Sequence, residues 1–307
     1  MKTLNTDKEK KNLTDLDARF MKGGNGKIDV NYNGQIAVTE DQIIVAAEVI
    51  NEPNDREVLT GTLEQAEANI KEEIAELVAD SGYSSYDNYE YLETRGKIGY
   101  IPDQYLEKKK QGEYEKEKNR YHTENFLYDK GKDIYLCPKG KELKPYKGRH
   151  SNKGVRKRCQ IIYKGVACED CEVRHLCTRQ KARTLAREER RELLEEMRAR
   201  LLSKAEKEKY KKRLHTVEPP FGNIKHNLGY RSFLLRGLKK VAGEFTLMCI
   251  GHNLKKMHLV WKNKKEDKHQ GRANSKAGVA TCLKEYLSFL INALRRWFFN
   301  SLNLEYI

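Results

Sequence analysis

The sequence has 307 residues, of which 60 are lysine or arginine and 45 are aspartate or glutamate, so its formal net charge is +15. This excess favours a polyanionic partner such as nucleic acid over the alternative of a basic protein without one. No apolar stretch reaches the roughly 18 residues that a membrane span needs, and no signal peptide is visible. We therefore expect a cytoplasmic protein with no membrane partner and with reduced cysteines.

The first third of the sequence predicts strands that alternate with helices. Residues 1–22 are expected to form a loose amino-terminal arm. The elements that follow are a bent strand over 28–38, a buried strand over 42–50, a helix over 55–70, a strand over 74–78, a helix over 84–96 and a strand over 97–102. Alternation of this kind implies an α/β sheet that contains parallel pairs and is covered by helices.

The middle of the sequence differs in character from what precedes it. Residues 107–118 form a charged run, five of the seven cysteines follow, and a long helix is predicted from about Ala182. The apolar stripe of this helix is Leu185, Leu193, Leu194, Met197 and Leu201. We interpret 103–180 as an insertion and the helix as its return to the domain.

The last hundred residues predict helices. A motif-rich segment occupies 210–225, a helix with an apolar face covers 237–261, a polar linker spans 262–276, and an amphipathic helix follows. The expected division of the chain is an arm over 1–22, the first part of an α/β domain over 23–102, the insertion and its return helix over 103–205, the completion of the domain over 206–262, and a linker with a terminal helix over 263–307.

The first candidate for chemistry is Asp80, which follows a predicted strand and precedes a turn at Gly82. The carboxyl ends of strands form the edge where sites are built in open α/β sheets. A carboxylate at that edge is suited to a metal ion. The alternative is an aspartate that caps the following helix.

The second candidate is Glu218, which lies in a basic segment with Tyr210, Arg213 and Lys225. On a helix Tyr210 and Arg213 share a side, and Lys225 shares the face of Glu218 if the helix continues through the two prolines. An acid for a cation beside bases for phosphate oxygens is the composition of a metal site that acts on a phosphate. The alternative is an ordinary ion pair.

These residues resemble the motifs of DDE transposases from bacterial insertion sequences. Residues 79–85 (ADSGYSS) are similar to the motif of the second catalytic aspartate, and the segment around Glu218 is similar to the signature of the catalytic glutamate. Further matches in the same order are residues 15–22, 32–35, 221–225 and 236–238, with Asn253 and Leu254. The likeness covers about residues 14–260 and extends to the branch whose insertion carries cysteines.

The resemblance implies a ribonuclease-H-like fold, that is, a mixed sheet with flanking helices, a cysteine-containing insertion and a helical carboxy terminus. It implies two Mg²⁺ (or Mn²⁺) ions held by three carboxylates, with Asp80 and Glu218 as two of these catalytic ligands. Tyr210, Arg213 and Lys225 would position phosphate. The implied partner is double-stranded DNA, both transposon ends and target, bound by a homo-oligomer at the bacterial nucleoid.

One departure from the family pattern concerns the first aspartate. In the family it lies on the first sheet strand, upstream of the motif at 15–22, and this sequence contains neither that strand nor the amino-terminal DNA-binding region. We therefore expect a truncated transposase that is inactive alone. The alternatives are a non-catalytic DNA-binding or regulatory remnant, and a complete nuclease, which requires Asp17 or Asp55 as a metal ligand. Asp15, Asp17 and Asp55 could each be mistaken for the missing ligand, but none follows a strand as the first aspartate of the family does.

The cysteines suggest a second metal. Cys168, Cys171 and Cys177 follow the pattern C-x₂-C-x₅-C, and Cys137 precedes them by about thirty residues, which predicts a structural Zn²⁺ site. Reduced structural cysteines and a redox role are the alternatives, and Cys159 and His175 are spare ligand candidates. We expect Cys249 and Cys282 to be packing residues.

A set of bases in the insertion suggests a DNA-contacting surface or, alternatively, a solvated loop: Lys147, Arg149, Lys153, Arg156, Lys157 and Arg158.

Overall fold

The structure is a computed structural model that describes residues 12–23, 26–106, 120–151 and 158–269. The charged run at 107–118, three of the insertion bases (Lys153, Arg156 and Lys157), Cys282 and the predicted terminal helix lie outside the described residues. The chain forms two compact units. Unit 1 contains residues 1–78, 95–98 and 207–307, and unit 2 contains residues 79–94 and 99–206.

In chain order, the described strands and helices are β1 (Arg19–Lys22), β2 (Ile28–Asn31), β3 (Asn33–Val38), β4 (Ile44–Ile50), α1 (Leu59–Ile70), β5 (Glu76–Val78), α2 (Tyr86–Thr94), β6 (Ile98–Tyr100), β7 (Leu127–Asp129), β8 (Ile134–Leu136), β9 (Glu142–Ser151), β10 (Arg158–Gly165), α3 (Arg174–Cys177), β11 (Thr184–Glu188), α4 (Arg191–Leu202), α5 (Lys204–Thr216), α6 (Glu218–Gly222) and α7 (Leu238–His269). Helix α7 thus continues into the predicted linker. Among these helices none is long and apolar enough to cross a membrane.

The core of unit 1 lies on both sides of β4, which pairs antiparallel with β3. Successive side chains of a strand point to opposite faces, but the register of the pair shifts between Ala37 and Val38, so Ile44 and Val49 reach the same face although they are five residues apart. Ile44 and Val49 pack with Phe245 of α7, whereas Val45 packs with Ala66 of α1. The prediction that this strand is buried on both faces is confirmed, because β3 and β4 lie between two helices.

The described part of the predicted arm is fixed within unit 1. Strand β1 pairs antiparallel with β2. The carboxylates of Asp15 and Asp17 accept hydrogen bonds from the backbone N–H groups of Gly237 (3.1 Å) and Leu238 (2.9 Å) at the start of α7. The first N–H groups of a helix have no partner within the helix, so these two carboxylates cap it. Residues 12–22 are therefore an ordered part of this unit.

Unit 2 contains a five-stranded antiparallel sheet in the order β11-β10-β9-β8-β7. Its core is a set of aromatic and leucine side chains, namely Phe126, Tyr135, Leu143, Tyr163 and Leu185. The helix predicted from Ala182 is wrong at its start, because Thr184–Glu188 forms β11 and α4 begins at Arg191. Pairing with β10 along its whole length outweighs the local helical preference, so Leu185 belongs to the sheet core.

The α/β class is confirmed, but the described strands do not form the single mixed sheet that was expected. They form four separate sheets. Only the short pair β5–β6 has the hydrogen bonds of a parallel pair: Ile98 N donates to Ala75 O (2.8 Å) and Ala79 N donates to Tyr100 O (3.2 Å). The short connections between the other strands favour antiparallel hairpins, since a parallel pair needs a long crossover.

Candidate functional site

Asp80 lies two residues after the end of β5, in unit 2, and is half-buried. Its Oδ1 accepts a hydrogen bond from Gly82 N at 2.8 Å and caps the short 3₁₀ turn Ser81–Tyr83. The cap of α2 is a different residue, Ser85, whose hydroxyl accepts from Asn88 N at 3.2 Å. Asp80 therefore has a local capping role that occupies one acceptor position of its carboxylate.

Glu218 is the first residue of α6, in unit 1, and is exposed. The chain stays helical across the junction, because Val217 has right-handed helical angles and its N–H donates to Arg213 O at 2.9 Å. The two prolines that follow Glu218 occupy the first turn, where no N–H partner is needed. In the described part of the chain no side chain pairs with the Glu218 carboxylate.

Two of the predicted phosphate-positioning residues lie together on α5. The guanidinium carbon of Arg213 is 5.9 Å from the ring centroid of Tyr210. The Arg213 Nε atom is buried and has no hydrogen-bond partner among the described residues. The third, Lys225, is exposed and lies 5.4 Å from the ring of Phe221. The described structure contains no ion pair between Lys225 and Glu218.

Lys225 lies in a π-helical turn, Asn223–Asn227, which the sequence pattern did not predict. Leu228 N donates to Asn223 O across this turn at 2.9 Å. A π turn holds more residues than an α turn, so the seven-residue spacing from Glu218 to Lys225 does not define one shared face. Such turns are frequent at functional sites.

His252 of α7 fixes this π turn. Its Nε2 is 2.9 Å from the carbonyl of Gln42, which accepts only, so Nε2 carries the proton. Its Nδ1 then accepts from Asn223 Nδ2 at 2.9 Å, and Asn223 Oδ1 accepts from Lys255 at 3.1 Å. Burial lowers the pKa of His252, which agrees with a neutral ring. In the sequence, the contact of His252 with the π turn is indicated only by the polar pair His252 and Asn253 within the apolar pattern of this helix.

The three aspartates considered as a third ligand all have structural partners. Asp55 accepts from Asn33 Nδ2 (2.6 Å) and Gln35 Nε2 (2.8 Å). Asp15 accepts from the Tyr32 hydroxyl at 2.8–2.9 Å in addition to capping α7, as Asp17 also does. Burial alone would raise the pKa of Asp15, but the hydrogen bonds it accepts hold that pKa below its usual value.

The four cysteines proposed as zinc ligands, Cys137, Cys168, Cys171 and Cys177, line one cavity of unit 2. Within the described residues no group of three or more His, Cys, Asp or Glu side chains is already placed to hold a metal ion. The spare candidates Cys159 and His175 do not line this cavity. Cys249 is fully buried in the core of unit 1, which confirms it as a packing residue.

Together, an α/β chain and an exposed glutamate that directly follows a basic helix suit an enzyme that acts on phosphodiesters. Residues 136–258 match the family model described as Transposase DDE domain. This match confirms the resemblance to DDE transposases over residues 136–258. It includes Glu218 and the residues around it, but not Asp80. No curated protein and no solved structure matches the chain.

Proposed function

We propose that this chain is part of a DDE transposase and supplies two of its catalytic carboxylates, Asp80 and Glu218, for metal-dependent cleavage and strand transfer of DNA. The observation that carries the proposal is the family match over residues 136–258, which contains Glu218 within its basic helical segment. The ribonuclease-H-like arrangement and the origin in a bacterial insertion sequence are parts of the same proposal.

The donor chemistry of both residues fits Mg²⁺ or Mn²⁺, which prefer carboxylate oxygens. Glu218 is exposed and unpaired among the described residues, and Asp80 retains acceptor capacity beyond its bond to Gly82 N. When bound, two such ions stabilise the attacking and leaving oxygens of a phosphodiester.

The basic residues near Glu218 would bind the phosphate. Arg213 has a buried Nε–H donor without a partner in the described structure, and a phosphate oxygen would accept from it. Tyr210 packs beside that guanidinium and would orient it. Lys225 is exposed and would add a point charge.

Double-stranded DNA is the partner that this function requires, and the net charge of +15 favours it. Lys147 on β9 is exposed and would add a further contact to the phosphate backbone. We infer that the chain acts on transposon ends and target as a homo-oligomer at the bacterial nucleoid, because cutting two ends in one reaction requires two sites.

The assignment of the two carboxylates is tested by measuring Mn²⁺ affinity with paramagnetic resonance. Asp80→Asn keeps an acceptor for Gly82 N and removes the negative charge. Glu218→Gln removes the negative charge of the first residue of α6 and keeps its size. Glu208→Gln, an exposed residue of α5 paired with Lys211, is the matched control. We expect weaker Mn²⁺ binding in the first two variants only. Equal affinity in all three would contradict the metal assignment.

Catalysis is tested by nicking of supercoiled DNA, with gel-shift binding run in parallel. We expect the 307-residue chain by itself to bind without nicking, because only two of the three carboxylates are assigned among its residues. Arg213→Ala and Lys225→Ala should weaken binding and each lower the salt slope by about one. Nicking that is lost in both Asp80→Asn and Glu218→Gln would show that a third ligand lies within these residues.

A non-catalytic DNA-binding module is the second candidate function. The observation in its favour is that Asp15, Asp17 and Asp55 are all engaged in hydrogen bonds of the fold. If the chain were instead a complete nuclease, Asp17→Ala or Asp55→Ala would abolish Mg²⁺-dependent nicking while the affinity for DNA stayed unchanged.

A further inference from the structure

We propose that Cys137, Cys168, Cys171 and Cys177 bind one structural Zn²⁺ ion in unit 2. The inference concerns the stability of this unit and does not depend on the transposase function. The tertiary structure supports it, because Cys137 and Cys177 are forty residues apart in the sequence and still line the same cavity.

Three different elements bring the thiols together. Cys137 follows β8, Cys168 and Cys171 lie in the loop after β10, and Cys177 is the last residue of α3. Cys137 and Cys177 also pack against the aromatic core of the sheet. Four sulfur ligands around one point can form a tetrahedral structural zinc site, with Zn–S distances of about 2.3 Å.

The backbone around Cys137 already fixes the position of its thiol. Lys141 N donates to Cys137 Sγ at 3.3 Å, and Gly140 N donates to Cys137 O at 2.7 Å in a tight turn. Gly140 has a φ of +74°, which favours glycine. Hydrogen bonds from N–H groups to ligand sulfurs orient the ligand.

The charge around the cavity complements a metal site that is anionic overall, as four thiolates and one divalent cation would be. Four basic residues line it: Lys139, Lys141, Arg174 and Arg183. Arg183 donates from Nη1 to Cys177 O at 3.2 Å, but its buried Nε–H has no hydrogen-bond partner in the described structure. A buried donor without an acceptor costs free energy, and a thiolate in this cavity would supply the acceptor.

The thiol of Cys168 packs closely against the backbone of Gly165. A Cβ atom added at Gly165 would lie 2.3 Å from Cys168 Sγ, so any larger residue would displace this thiol. The thiols do not yet form a metal-ligand set. We infer that zinc closes the set by rotation of these short side chains and releases the thiol protons on binding.

The test uses the purified full chain. We expect about one zinc per chain by mass spectrometry, and a cobalt-substituted protein with thiolate-to-cobalt charge-transfer bands and tetrahedral d–d bands. Cys168→Ser and Cys177→Ser should lose the metal, and the matched control Cys159→Ser, on the same sheet, should retain it. Gly165→Ala keeps all four thiols and should bind zinc at least about tenfold more weakly.

The cobalt spectrum of the wild-type chain keeps the proposal falsifiable even if the variants fail to fold. A wild-type chain without stoichiometric metal, or with a cobalt spectrum that lacks the thiolate bands, would overturn it. The proposal would also be overturned if the four thiols reacted equally fast with a thiol reagent before and after a chelator is added. A disulfide between Cys168 and Cys171 in reducing buffer would point to a redox pair instead.

Discussion

The side-chain amide of Asn253 pairs with both backbone polar groups of Ile44. Asn253 Oδ1 accepts from Ile44 N at 2.9 Å, and Asn253 Nδ2 donates to Ile44 O at 2.8 Å. Both residues are completely buried. A single helical side chain thus supplies the donor and the acceptor that a neighbouring strand would otherwise provide, and it fixes α7 to the first residue of β4.

Replacement of Asn253 by leucine should be strongly destabilising. The change leaves the N–H and the C=O of Ile44 buried without partners, which should lower the free energy of unfolding by on the order of 3 kcal/mol. Urea denaturation measures the change. The control is Leu254→Ala, because this neighbouring side chain is half exposed. Comparable losses in the two variants would contradict the importance of the amide pairing.

The stability of unit 1 should depend on pH through His252. Burial holds the pKa of the folded ring below the ordinary value of 6.5, against the opposing effect of its hydrogen bond to Gln42. Below about pH 6.5 the unfolded chain therefore binds a proton that the folded ring does not. The free energy of unfolding should fall as pH drops from 6.5 towards the folded-state pKa, and His252 should add no slope above that window.

Denaturation curves between about pH 5 and pH 8 test this dependence, and His252→Gln should remove the additional slope. His258→Gln is the control, since His258 is an exposed residue of the same helix. A wild-type slope that survives in His252→Gln would mean that another group titrates, and the neutral tautomer assigned to the ring would lose its support.

In unit 2 the carboxylate of Glu124 holds two guanidinium groups. It accepts from Arg191 Nη2 at 2.5 Å and from Arg198 Nη1 at 2.6 Å. Burial would raise the pKa of Glu124, but Arg198 and Arg191 outweigh that effect and lower it. The ionised Glu124 carboxylate therefore stabilises the fold above about pH 4.5, and this stabilisation is lost as pH falls through the folded-state pKa of Glu124.

Glu124→Gln should lower the free energy of unfolding by roughly 2 kcal/mol, because two charge-assisted hydrogen bonds are lost. Arg198 keeps its ion pair with Asp103, and Arg191 keeps its ion pair with Glu195. Glu192→Gln is the matched control: its ion pair with Lys130 is exposed to solvent, so its loss should change the free energy of unfolding far less. Thermal unfolding monitored by circular dichroism compares the two. A Glu192→Gln effect as large as that of Glu124→Gln would refute the buried network.

Much of the local structure of this protein was determined by its sequence. The apolar run at 42–50 gave the buried strand β4, and the apolar period of 237–261 gave α7, because burial patterns at periods of two and 3.6 are local properties. The ordered motifs likewise indicated the DDE transposases, and the family match over residues 136–258, which contains Glu218 but not Asp80, confirmed that resemblance without any knowledge of the fold.

Contacts between distant residues were decided only by the tertiary structure. Asp15 and Asp17 cap a helix that begins more than two hundred residues later, and Leu185 joins a strand because β10 offers it an edge. His252 and Asn253 fix a π turn and β4, although both occur in a helix whose pattern predicts only apolar packing. Hydrogen bonds to remote backbone groups leave no periodic trace in a sequence, so the partner of each polar residue is known only once the chain has folded.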